Sequence, residues 1–311
     1  MGNVDHEVII IGGGPAGLTA GLYIARARID ALLIERLAAG GQVLLTDWIE
    51  NYPAYPDGIS GIDLIQKMVS QVQKFGLDMS TGMVESIGLA GTVKKVKVNS
   101  NVLSCRCVII ATGAQPKRLG VEGESDLIGR GVSFCATCDG PFFKDQEIAV
   151  VGGGDTAIQE ALFLTKFARK VLVIHRRNRL RATVILQERV FSNEKIEFVW
   201  DTVVEKILGS DGVEGLTLRN VKTNSHSVLP VQGVFIFIGV KPNTDFIKDF
   251  PILNQDGFIV TNGNMETSIP GIFAAGDVRD KFFRQISTAV GDGAVAAFSA
   301  EKYIENLEHQ K

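Results

Sequence analysis

The stretch "VIIIGGGPAGLTAGLYIARARIDALLIER" (residues 8–36) aligns without a gap to "IAVVGGGDTAIQEALFLTKFARKVLVIHR" (residues 148–176). Each copy contains an apolar run, a glycine cluster, a segment with apolar residues at i and i+4, and a second apolar run. Continuous apolar runs are typical of buried parallel strands, and the i, i+4 spacing is typical of an amphipathic helix. The sequence therefore predicts a strand–helix–strand unit that occurs twice.

The small residues between strand and helix suit dinucleotide binding in both copies. They are Gly12, Gly14 and Gly17 in the first copy, and Gly152, Gly154 and Ala157 in the second. The first position makes a tight turn, the second lets the backbone approach a pyrophosphate, and the third packs the helix on the strand. One such pattern is weak support, but two in register favour two dinucleotide sites over two purely structural turns.

The two copies differ where the second strand ends. The first copy ends in Glu35, whereas the second ends in His175 and the arginines of "HRRNRLR", namely Arg176, Arg177, Arg179 and Arg181. A carboxylate accepts hydrogen bonds from ribose hydroxyls and repels a 2'-phosphate, which arginine binds through two donors. The first copy thus favours FAD or NAD and the second NADP. A solvated basic face is the alternative interpretation of the arginines.

Two further apolar segments, "CVIIATGA" (residues 107–114) and "GIFAAGDV" (residues 271–278), end in small residues. The second includes Asp277, at the end of a strand where a ribose or ribitol hydroxyl could bind. Because this segment is far from the first copy in sequence, we expect one domain to be interrupted by the other. The predicted domains are 1–117 with 245–311, which binds FAD, and 118–244, which binds NADPH.

Composition excludes several classes of function. The chain has 311 residues, 32 of them basic and 35 acidic, and no block of like charge marks a nucleic-acid-binding surface. No apolar run approaches the length of a membrane span. The chain enters its first apolar run within a few residues, so we expect no signal peptide and a cytoplasmic protein. In the reducing cytosol, a cysteine pair is more often catalytic or metal-binding than structural.

Two of the four cysteines, Cys135 and Cys138, stand in "SFCATCDG" (residues 133–140) with C-x-x-C spacing. This spacing suits half a zinc site, a structural disulfide or a redox pair. Cys105 and Cys107 lie on a predicted strand and face the same side, where we expect them to be buried as small hydrophobic residues. The histidines offer no ligand set, so we expect no metal and favour the redox pair. Asp139 begins an Asp-Gly-Pro turn.

The chain resembles the bacterial-type, low-molecular-weight (class II) thioredoxin reductases over nearly its whole length. The motifs that carry the resemblance are "GGGPAGLTAGLYIARA", "GGQVLLTDWIENYP", "IIATGAQP", "FCATCDGPFF", "GGGDTAIQEALFL", "HRRNRLRA" and "GIFAAGDVRDKFFRQISTAVGDGAVAA". The resemblance implies an α/β fold of two Rossmann-like dinucleotide-binding domains, of the three-layer ββα type, with the NADPH domain inserted into the FAD domain. It also implies a homodimer that acts on thioredoxin.

The resemblance implies a role for each residue of the C-x-x-C segment. Cys135 attacks the partner disulfide, Cys138 faces the flavin, and Asp139 is the acid/base that protonates the departing thiolate. Electrons pass from NADPH through FAD to this pair and then to thioredoxin. Because the cysteines and the nicotinamide share the inserted domain, both must take turns at the flavin. The family does this by rotating the insert on two connecting strands, expected near residues 114–118 and 243–247.

The predicted cofactor-binding residues fall in both domains. In the FAD domain they are Gly12, Gly14, Pro15, Ala16, Gly17, Glu35, Gly40, Gly41, Gln42, Asn51, Val84, Thr112, Gly113, Asp277, Arg284, Gln285 and Ile286. In the NADPH domain they are Gly152, Gly154, Asp155, Thr156, Ala157, His175, Arg176, Arg177, Arg181 and Gly239. The resemblance also implies a helix that begins near Thr288 and points its positive end at the flavin. Leu180 replaces the usual phenylalanine beside the 2'-phosphate site.

Two alternatives keep the fold but change the function. The first serves another donor or acceptor, such as a ferredoxin, a glutaredoxin-like carrier or a peroxidase. A ferredoxin-linked enzyme would lack the arginine set after His175, so this set argues against that version. The second alternative is a flavin-bound redox sensor without turnover, against which the complete NADP pattern argues.

Overall fold

The structure, a computed structural model, describes residues 4–46 and 48–309. The first three residues, on which the signal-peptide expectation partly depends, lie outside this range. The helices are α1 (Pro15–Arg26), α2 (Gly61–Lys74), α3 (Ala136–Asp139), α4 (Asp155–Leu164), α5 (Val184–Phe191) and α6 (Ile286–His309). The strands are β1 (His6–Ile11), β2 (Ala31–Glu35), β3 (Asp78–Thr81), β4 (Val84–Ala90), β5 (Val93–Val98), β6 (Asn101–Ile110), β7 (Ala114–Pro116), β8 (Val132–Ser133), β9 (Glu147–Val151), β10 (Lys170–Ile174), β11 (Ile196–Val199), β12 (Thr202–Leu208), β13 (Gly215–Asn220), β14 (His226–Leu229), β15 (Gly233–Ile236), β16 (Val240–Pro242) and β17 (Ile272–Ala274).

The chain divides into two compact units. Unit 1 comprises Met1–Gln115 and Lys241–Lys311, and unit 2 comprises Pro116–Val240. The chain passes between the units within β7 and β16, which pair with each other in a two-stranded sheet. The assignment of unit 1 to FAD and unit 2 to NADPH remains a prediction, as does rotation about the connecting strands.

Unit 1 is built on a sheet with the order β3-β2-β1-β6-β5-β4, in which β17 also pairs with β6. Strands β3, β2, β1, β6 and β17 are parallel to their neighbours, whereas β4, β5 and β6 form an antiparallel meander. One long strand, β6, belongs to both parts, because residues 101–105 pair with β5 and residues 105–110 pair with β1.

Unit 2 repeats this plan with separate sheets. A parallel five-stranded sheet has the order β11-β10-β9-β15-β8, and an antiparallel meander has the order β12-β13-β14. The predicted repeat is confirmed, since β1–α1–β2 in unit 1 corresponds to β9–α4–β10 in unit 2.

The alternation of side chains along the central strands creates three layers in each unit. Val8 and Ile10 of β1 pack with the helices, while Ile9 and Ile11 pack on the meander side. Strand β9 repeats this pattern in unit 2. Both faces of these strands are therefore buried, as expected for a parallel sheet covered on both sides. The predicted fold class, with two Rossmann-like units of the ββα type, is confirmed.

Among the described residues, no helix is long and apolar enough to cross a membrane.

Candidate active site

The first glycine loop connects β1 to α1 and leaves little room for side chains. Gly12 has a φ of +106°, and a Cβ atom on it would overlap the Ala111 carbonyl group. A Cβ atom on Gly17 would overlap the Gly12 carbonyl oxygen, so α1 packs directly on the turn. Gly14 differs, because a Cβ atom there would meet nothing within 4 Å. The backbone at Gly14, followed by Pro15 at the start of α1, is thus open to a ligand.

Glu35, at the end of β2, is hydrogen-bonded to the glycine loop. Its Oε2 accepts a hydrogen bond from the Gly13 amide at 2.6 Å, and its Oε1 accepts one from the Arg36 amide at 2.7 Å. Oε1 also accepts a hydrogen bond from the Leu37 amide at 3.4 Å. A carboxylate has about four acceptor positions, so one remains for a ribose hydroxyl. The structure brings this predicted residue to the loop, as the Rossmann arrangement requires.

The segment after β2 closes over the same loop. The amide of Gly40 donates to the Gly13 carbonyl at 2.8 Å, and a Cβ atom on Gly41 would lie 3.7 Å from the Gly14 Cα. Both glycines have positive φ values, 131° and 57°, which other residues adopt at a cost. Gln42 donates from Nε2 to the Ala114 carbonyl at 2.8 Å, which ties this segment to β7.

The C-terminal part of unit 1 contributes a second group of predicted residues. Asn51 Nδ2 donates to Gln285 Oε1 at 3.2 Å, so two predicted residues that are distant in sequence meet. Asp277 follows β17, and its Oδ1 is buried without a hydrogen-bond partner. Burial raises the pKa of Asp277, while the nearby Lys281 and Arg284 cations lower it.

Arg284 is half-buried and held by several contacts. Its Nε and Nη2 donate to the carbonyls of Asp277 and Arg279 at 3.4 and 3.3 Å, and its guanidinium lies 4.4 Å from the Phe258 ring centroid.

Helix α6 begins at Ile286, two residues before the expected start at Thr288. The Thr288 hydroxyl instead caps it, accepting from the Gln285 amide at 3.2 Å.

The remaining predicted residues of unit 1 lie at the ends of β4 and β6. Val84 begins β4 and is partly buried against the meander-side core. Thr112 donates from Oγ1 to the Asn243 carbonyl at 2.8 Å, and Asn243 Nδ2 donates back to the Thr112 carbonyl at 2.8 Å. Gly113 has a φ of +68°, and its carbonyl accepts from the Asn243 amide at 3.0 Å.

The second glycine loop, between β9 and α4, resembles the first. Gly152 has a φ of +154°, and a Cβ atom on it would lie 2.6 Å from the Ala157 Cβ. Ala157 is fully buried in the helix-side core, in the position of the small third residue. Gly154 is again open, since a Cβ atom there would meet only the Arg181 guanidinium, at 3.8 Å. Thr156 is exposed in the first turn of α4.

The arginine set and His175 have different environments. Arg176, Arg177 and Arg181 are exposed, whereas His175 is only 6% exposed. The His175 ring lies so close to Gly153 that a Cβ atom there would overlap it, and its Nε2 has no hydrogen-bond partner. Burial and the three arginines lower the pKa of His175, which keeps the ring neutral at pH 7.

Backbone contacts hold the arginine segment against the glycine loop. The Arg181 amide donates to the Gly153 carbonyl at 2.7 Å, and Asp155 Oδ1 accepts from the Thr183 amide at 2.6 Å. Leu180 is buried in the helix-side core, so the substitution noted from the sequence acts on packing. Gly239, beyond β15, has a φ of +120° and accepts from the Lys117 amide at 2.9 Å.

Cys135 and Cys138 form a disulfide at the start of α3. Cys135 is the N-terminal cap of this short helix, and its Sγ accepts from the Cys138 amide at 3.2 Å. Its amide donates to Ser133 Oγ at 3.1 Å, and its carbonyl accepts from the Asp139 amide at 3.1 Å. The buried Ala136 anchors α3 in the helix-side core, so both half-buried sulfurs are held within bonding distance.

The other two cysteines are fully buried on β6, which confirms that expectation. Burial raises the pKa of Cys105 to about 12 and raises the pKa of Cys107 further, so both remain thiols. Lys94 pairs with Cys105 across the strands and donates to Tyr303 Oη at 3.3 Å. Nowhere in the described part of the chain do three or more potential metal ligands come together.

Sequence reasoning missed two carboxylates near the predicted sites. Glu160 lies on α4, against which α3 packs, and its Oε2 is buried without a hydrogen-bond partner. Burial raises the pKa of Glu160. Asp292, on α6, accepts hydrogen bonds from Gly276 and Lys281. No local pattern marks either residue, because the burial of Glu160 and the contacts of Asp292 arise only in the folded chain.

The site fits two dinucleotides and a redox disulfide. Gly14 and Gly154 leave open backbone where a phosphate could approach, and Asp277 Oδ1 is a buried acceptor that lacks a donor. A run of four exposed arginines follows β10 in the second copy, whereas β2 in the first copy ends in Glu35. Two such loops with a bonded C-x-x-C pair define a nucleotide-dependent disulfide oxidoreductase as the class of protein.

Comparison with known proteins agrees with this class. The pyridine nucleotide-disulphide oxidoreductase family matches residues 6–293. Thioredoxin reductases of Listeria monocytogenes and Bacillus subtilis are 48% and 47% identical, over 97% of this chain and 95% and 96% of their own. The crystal structure of thioredoxin reductase from Streptococcus pyogenes has a TM-score of 0.93 and 49% identity, covering 97% of this chain and 98% of that chain.

The chain therefore belongs to the pyridine nucleotide-disulphide oxidoreductase family, and it is an oxidoreductase. The resemblance to thioredoxin reductases that the sequence motifs indicate is confirmed.

Proposed function

We propose that the protein is an NADPH:thioredoxin disulfide oxidoreductase with one FAD in unit 1 and an NADPH site in unit 2. The observation that carries the proposal is the bonded Cys135–Cys138 pair in the same chain as two open glycine loops, of which only the second precedes an arginine set. The likeness to thioredoxin reductases of several bacteria supports thioredoxin as the disulfide substrate.

In unit 1, the residues around the first glycine loop would hold FAD. The open backbone at Gly14 and the N-terminus of α1 suit the pyrophosphate, and Glu35 accepts from the ribose. The Asp277 carboxylate suits a hydroxyl of the ribityl chain, because its side chain is 36% exposed and its Oδ1 has no hydrogen-bond donor. Bound FAD supplies the ability to accept a hydride and to pass an electron pair to a disulfide.

In unit 2, Gly154 and the N-terminus of α4 would receive the pyrophosphate of NADPH. The exposed guanidinium groups of Arg176, Arg177 and Arg181 suit the 2'-phosphate, which they can bind through paired donors. His175 is buried behind Gly153 and stays neutral, so we infer that it supports the loop more than it binds the phosphate.

The reduced cysteine pair carries the chemistry on the substrate. The Cys135 thiolate attacks one sulfur of the oxidised partner, which forms a mixed disulfide and displaces a thiolate of the partner. The Cys138 thiolate then attacks Cys135 Sγ, which restores the internal disulfide and releases the second partner thiolate. The Cys138 amide donates to Cys135 Sγ, an arrangement that stabilises negative charge on this sulfur. Asp139 is the proposed proton donor to the departing thiolate.

We also propose a cytoplasmic homodimer without nucleic-acid or membrane partners. The support is the family resemblance, the balanced charge of the chain and the absence of a membrane-spanning helix among the described residues.

Anaerobic titration of the purified protein tests the proposal. We expect a yellow protein with one FAD per chain, whose flavin is bleached by NADPH at far lower concentration than by NADH. We then expect steady oxidation of NADPH when a thioredoxin is added. A protein that contains FMN or cannot be reconstituted with FAD contradicts the proposed FAD site. Flavin reduction without any thioredoxin turnover favours the redox-sensor alternative.

A further inference from the structure

Asp292 organises the segment between β17 and α6 through three charge-assisted contacts. Its Oδ2 accepts from the Gly276 amide at 3.0 Å and from Lys281 Nζ at 2.9 Å. Its Oδ1 lies 2.9 Å from Arg279 Nη1. The side chains of Asp292, Arg279 and Lys281 are only 13%, 11% and 10% exposed. Ion pairs this well shielded from solvent are stronger than surface pairs.

The same segment carries Asp277, which the ion pairs leave without a donor. Lys281 Nζ lies 2.9 Å from Asp292 Oδ2 but 4.0 Å from Asp277 Oδ1. The longer distance exceeds that of a hydrogen bond. Asp277 Oδ1 is nevertheless buried, with no hydrogen-bond partner. The lysine nearest to Asp277 is thus held by a different carboxylate.

We propose that Asp292 is a positioning residue that keeps Lys281 away from Asp277, so that the Asp277 carboxylate, whose side chain is 36% exposed, stays available to a hydroxyl group of bound FAD. This inference rests on the proposed FAD site in unit 1. Without the charge of Asp292, the carboxylate of Asp277 is the next partner for Lys281 Nζ. A movement of about 1 Å would bring the two groups to the distance of a charge-assisted hydrogen bond. A flavin hydroxyl would then have to compete with the ammonium group.

The alternative role for Asp292 is only to anchor the loop. The two roles predict different effects of Lys281 removal on FAD binding. If Asp292 only anchors the loop through Gly276 and Arg279, loss of its charge weakens FAD binding whether or not Lys281 is present. If Asp292 restrains Lys281, removal of the lysine abolishes the need for the carboxylate. Arg279 keeps a partner in either case, since its Nε donates to Thr261 Oγ1 at 2.7 Å.

The test compares FAD retention in three variants. Asp292→Asn removes the charge at nearly constant shape, Lys281→Met removes the cation but keeps an apolar stem, and the third variant combines both. Each holoenzyme is diluted serially, and released flavin is measured by its fluorescence. We expect Asp292→Asn to raise the dissociation constant for FAD about tenfold, the loss typical of one charge-assisted hydrogen bond. Lys281→Met should retain FAD like the wild type, and the double variant should recover most of the loss.

Two results overturn the proposal: an Asp292→Asn protein that retains FAD like the wild type, or a double variant that binds FAD no better than Asp292→Asn. If Asp292→Asn alone folds poorly, the double variant still decides, because it must fold and retain FAD. Asp277→Asn separates this inference from the proposed site. If Asp277→Asn holds FAD as tightly as the wild type, Asp277 is not a flavin contact, and the proposed FAD site is wrong at this residue.

Discussion

The space around individual glycines distinguishes positions where the fold requires glycine from positions where only a bound ligand would require it. In the first loop, a side chain on Gly17 overlaps the Gly12 carbonyl, while a side chain on Gly14 meets nothing. Gly14 also has an extended backbone, with φ −74° and ψ −178°, which alanine adopts readily. Neither a steric clash nor backbone strain therefore requires glycine at this N-cap position, and we attribute it to the proposed approach of a dinucleotide.

We predict that Gly14→Ala impairs FAD binding but not stability, whereas Gly17→Ala lowers stability. Gly14→Ala should change the unfolding free energy of the flavin-free protein by less than about 0.5 kcal/mol, as expected where nothing is contacted. It should nevertheless lose FAD, because the methyl group would occupy the proposed path of the pyrophosphate. Gly17→Ala should lower that free energy by about 1–3 kcal/mol through overpacking. Urea unfolding and flavin content measure both effects, and a Gly14→Ala protein with full FAD content would contradict the assignment.

The arginines after β10 predict the choice between the two nicotinamide nucleotides. Replacing Arg176 and Arg181 together with alanine should raise KM for NADPH far more than for NADH. Each lost charge-assisted hydrogen bond costs about 1.5–3 kcal/mol, roughly tenfold or more in affinity. Arg179→Ala is the matched control, because it removes one exposed charge from the same segment but is not in the predicted phosphate set. Equal losses with both nucleotides would show that the arginines do not bind the 2'-phosphate.

Local patterns predicted the residues whose role depends on sequence neighbours. Gly12, Gly17 and Ala157 could be predicted because a turn from strand to helix constrains its own residues. Asp292 could not, because its partners lie outside its own helix, and Glu160 could not, because its burial depends on the packing of α4. Asp292 accepts a hydrogen bond from the Gly276 amide only because α6 packs against the segment after β17. Periodicity and motif spacing contain no information about such contacts.

At the scale of elements, the short helix next to the disulfide is the one that periodicity in the sequence does not predict. Helix α3 comprises four residues, Ala136–Asp139, and is too short to be predicted from periodicity. It forms because Cys135 caps its N-terminus and Ala136 is buried in the core of unit 2. Helix α6 differs, since the family resemblance implies the helix with a start near Thr288, and the helix begins at Ile286.

The two sulfurs of α3 predict two distinct variants. Cys135→Ser should leave a Cys138 thiolate next to oxidised flavin and show long-wavelength charge-transfer absorbance. Cys138→Ser should lack this band, yet its Cys135 should form a stable mixed disulfide with a thioredoxin that lacks its resolving cysteine. Both variants should still have their flavin reduced by NADPH, and both should fail to turn over thioredoxin.

A cysteine outside the relay provides the control for these variants. Cys105→Ala removes a buried thiol in unit 1 and should keep thioredoxin turnover, with a modest loss of stability. Substantial disulfide reductase activity in either α3 variant would reject the two-cysteine relay. Exchanged phenotypes would keep the relay but reverse the roles of Cys135 and Cys138.

At the scale of the whole molecule, the connection between the units follows from the topology. The repeat in the sequence predicts two similar units, and the distant segment at residues 271–278 predicts that one unit interrupts the other. The architecture has both features. The boundaries between the two units were harder to predict, because no glycine-rich or charged linker marks them. The chain instead crosses within β7 and β16, two short strands that pair with each other. Paired strands satisfy each other's backbone hydrogen bonds, so such a connection needs no flexible composition.

Separate sheets and separate apolar clusters in the two units predict that each unit can fold alone. Unit 2 is one continuous segment, Pro116–Val240, with its own sheet, meander and two apolar clusters. Neighbouring strands lie about 4.8 Å apart, so Gln115 and Lys241 can be joined by a short glycine linker to close unit 1. We expect the excised unit 2 to unfold cooperatively and to bind NADPH but no flavin. The closed unit 1 should bind FAD.

Two measurements check this prediction. Chemical unfolding of each separate unit should give a single transition, and equilibrium binding should reproduce the nucleotide preference of the intact protein. The Arg176→Ala/Arg181→Ala form of the excised unit is the control, since it should lose NADPH and keep its stability. Neither unit should catalyse thioredoxin reduction by NADPH, because the proposed flavin and the disulfide are then on different molecules. An excised unit 2 that binds FAD would contradict the assignment of the two cofactors to the two glycine loops.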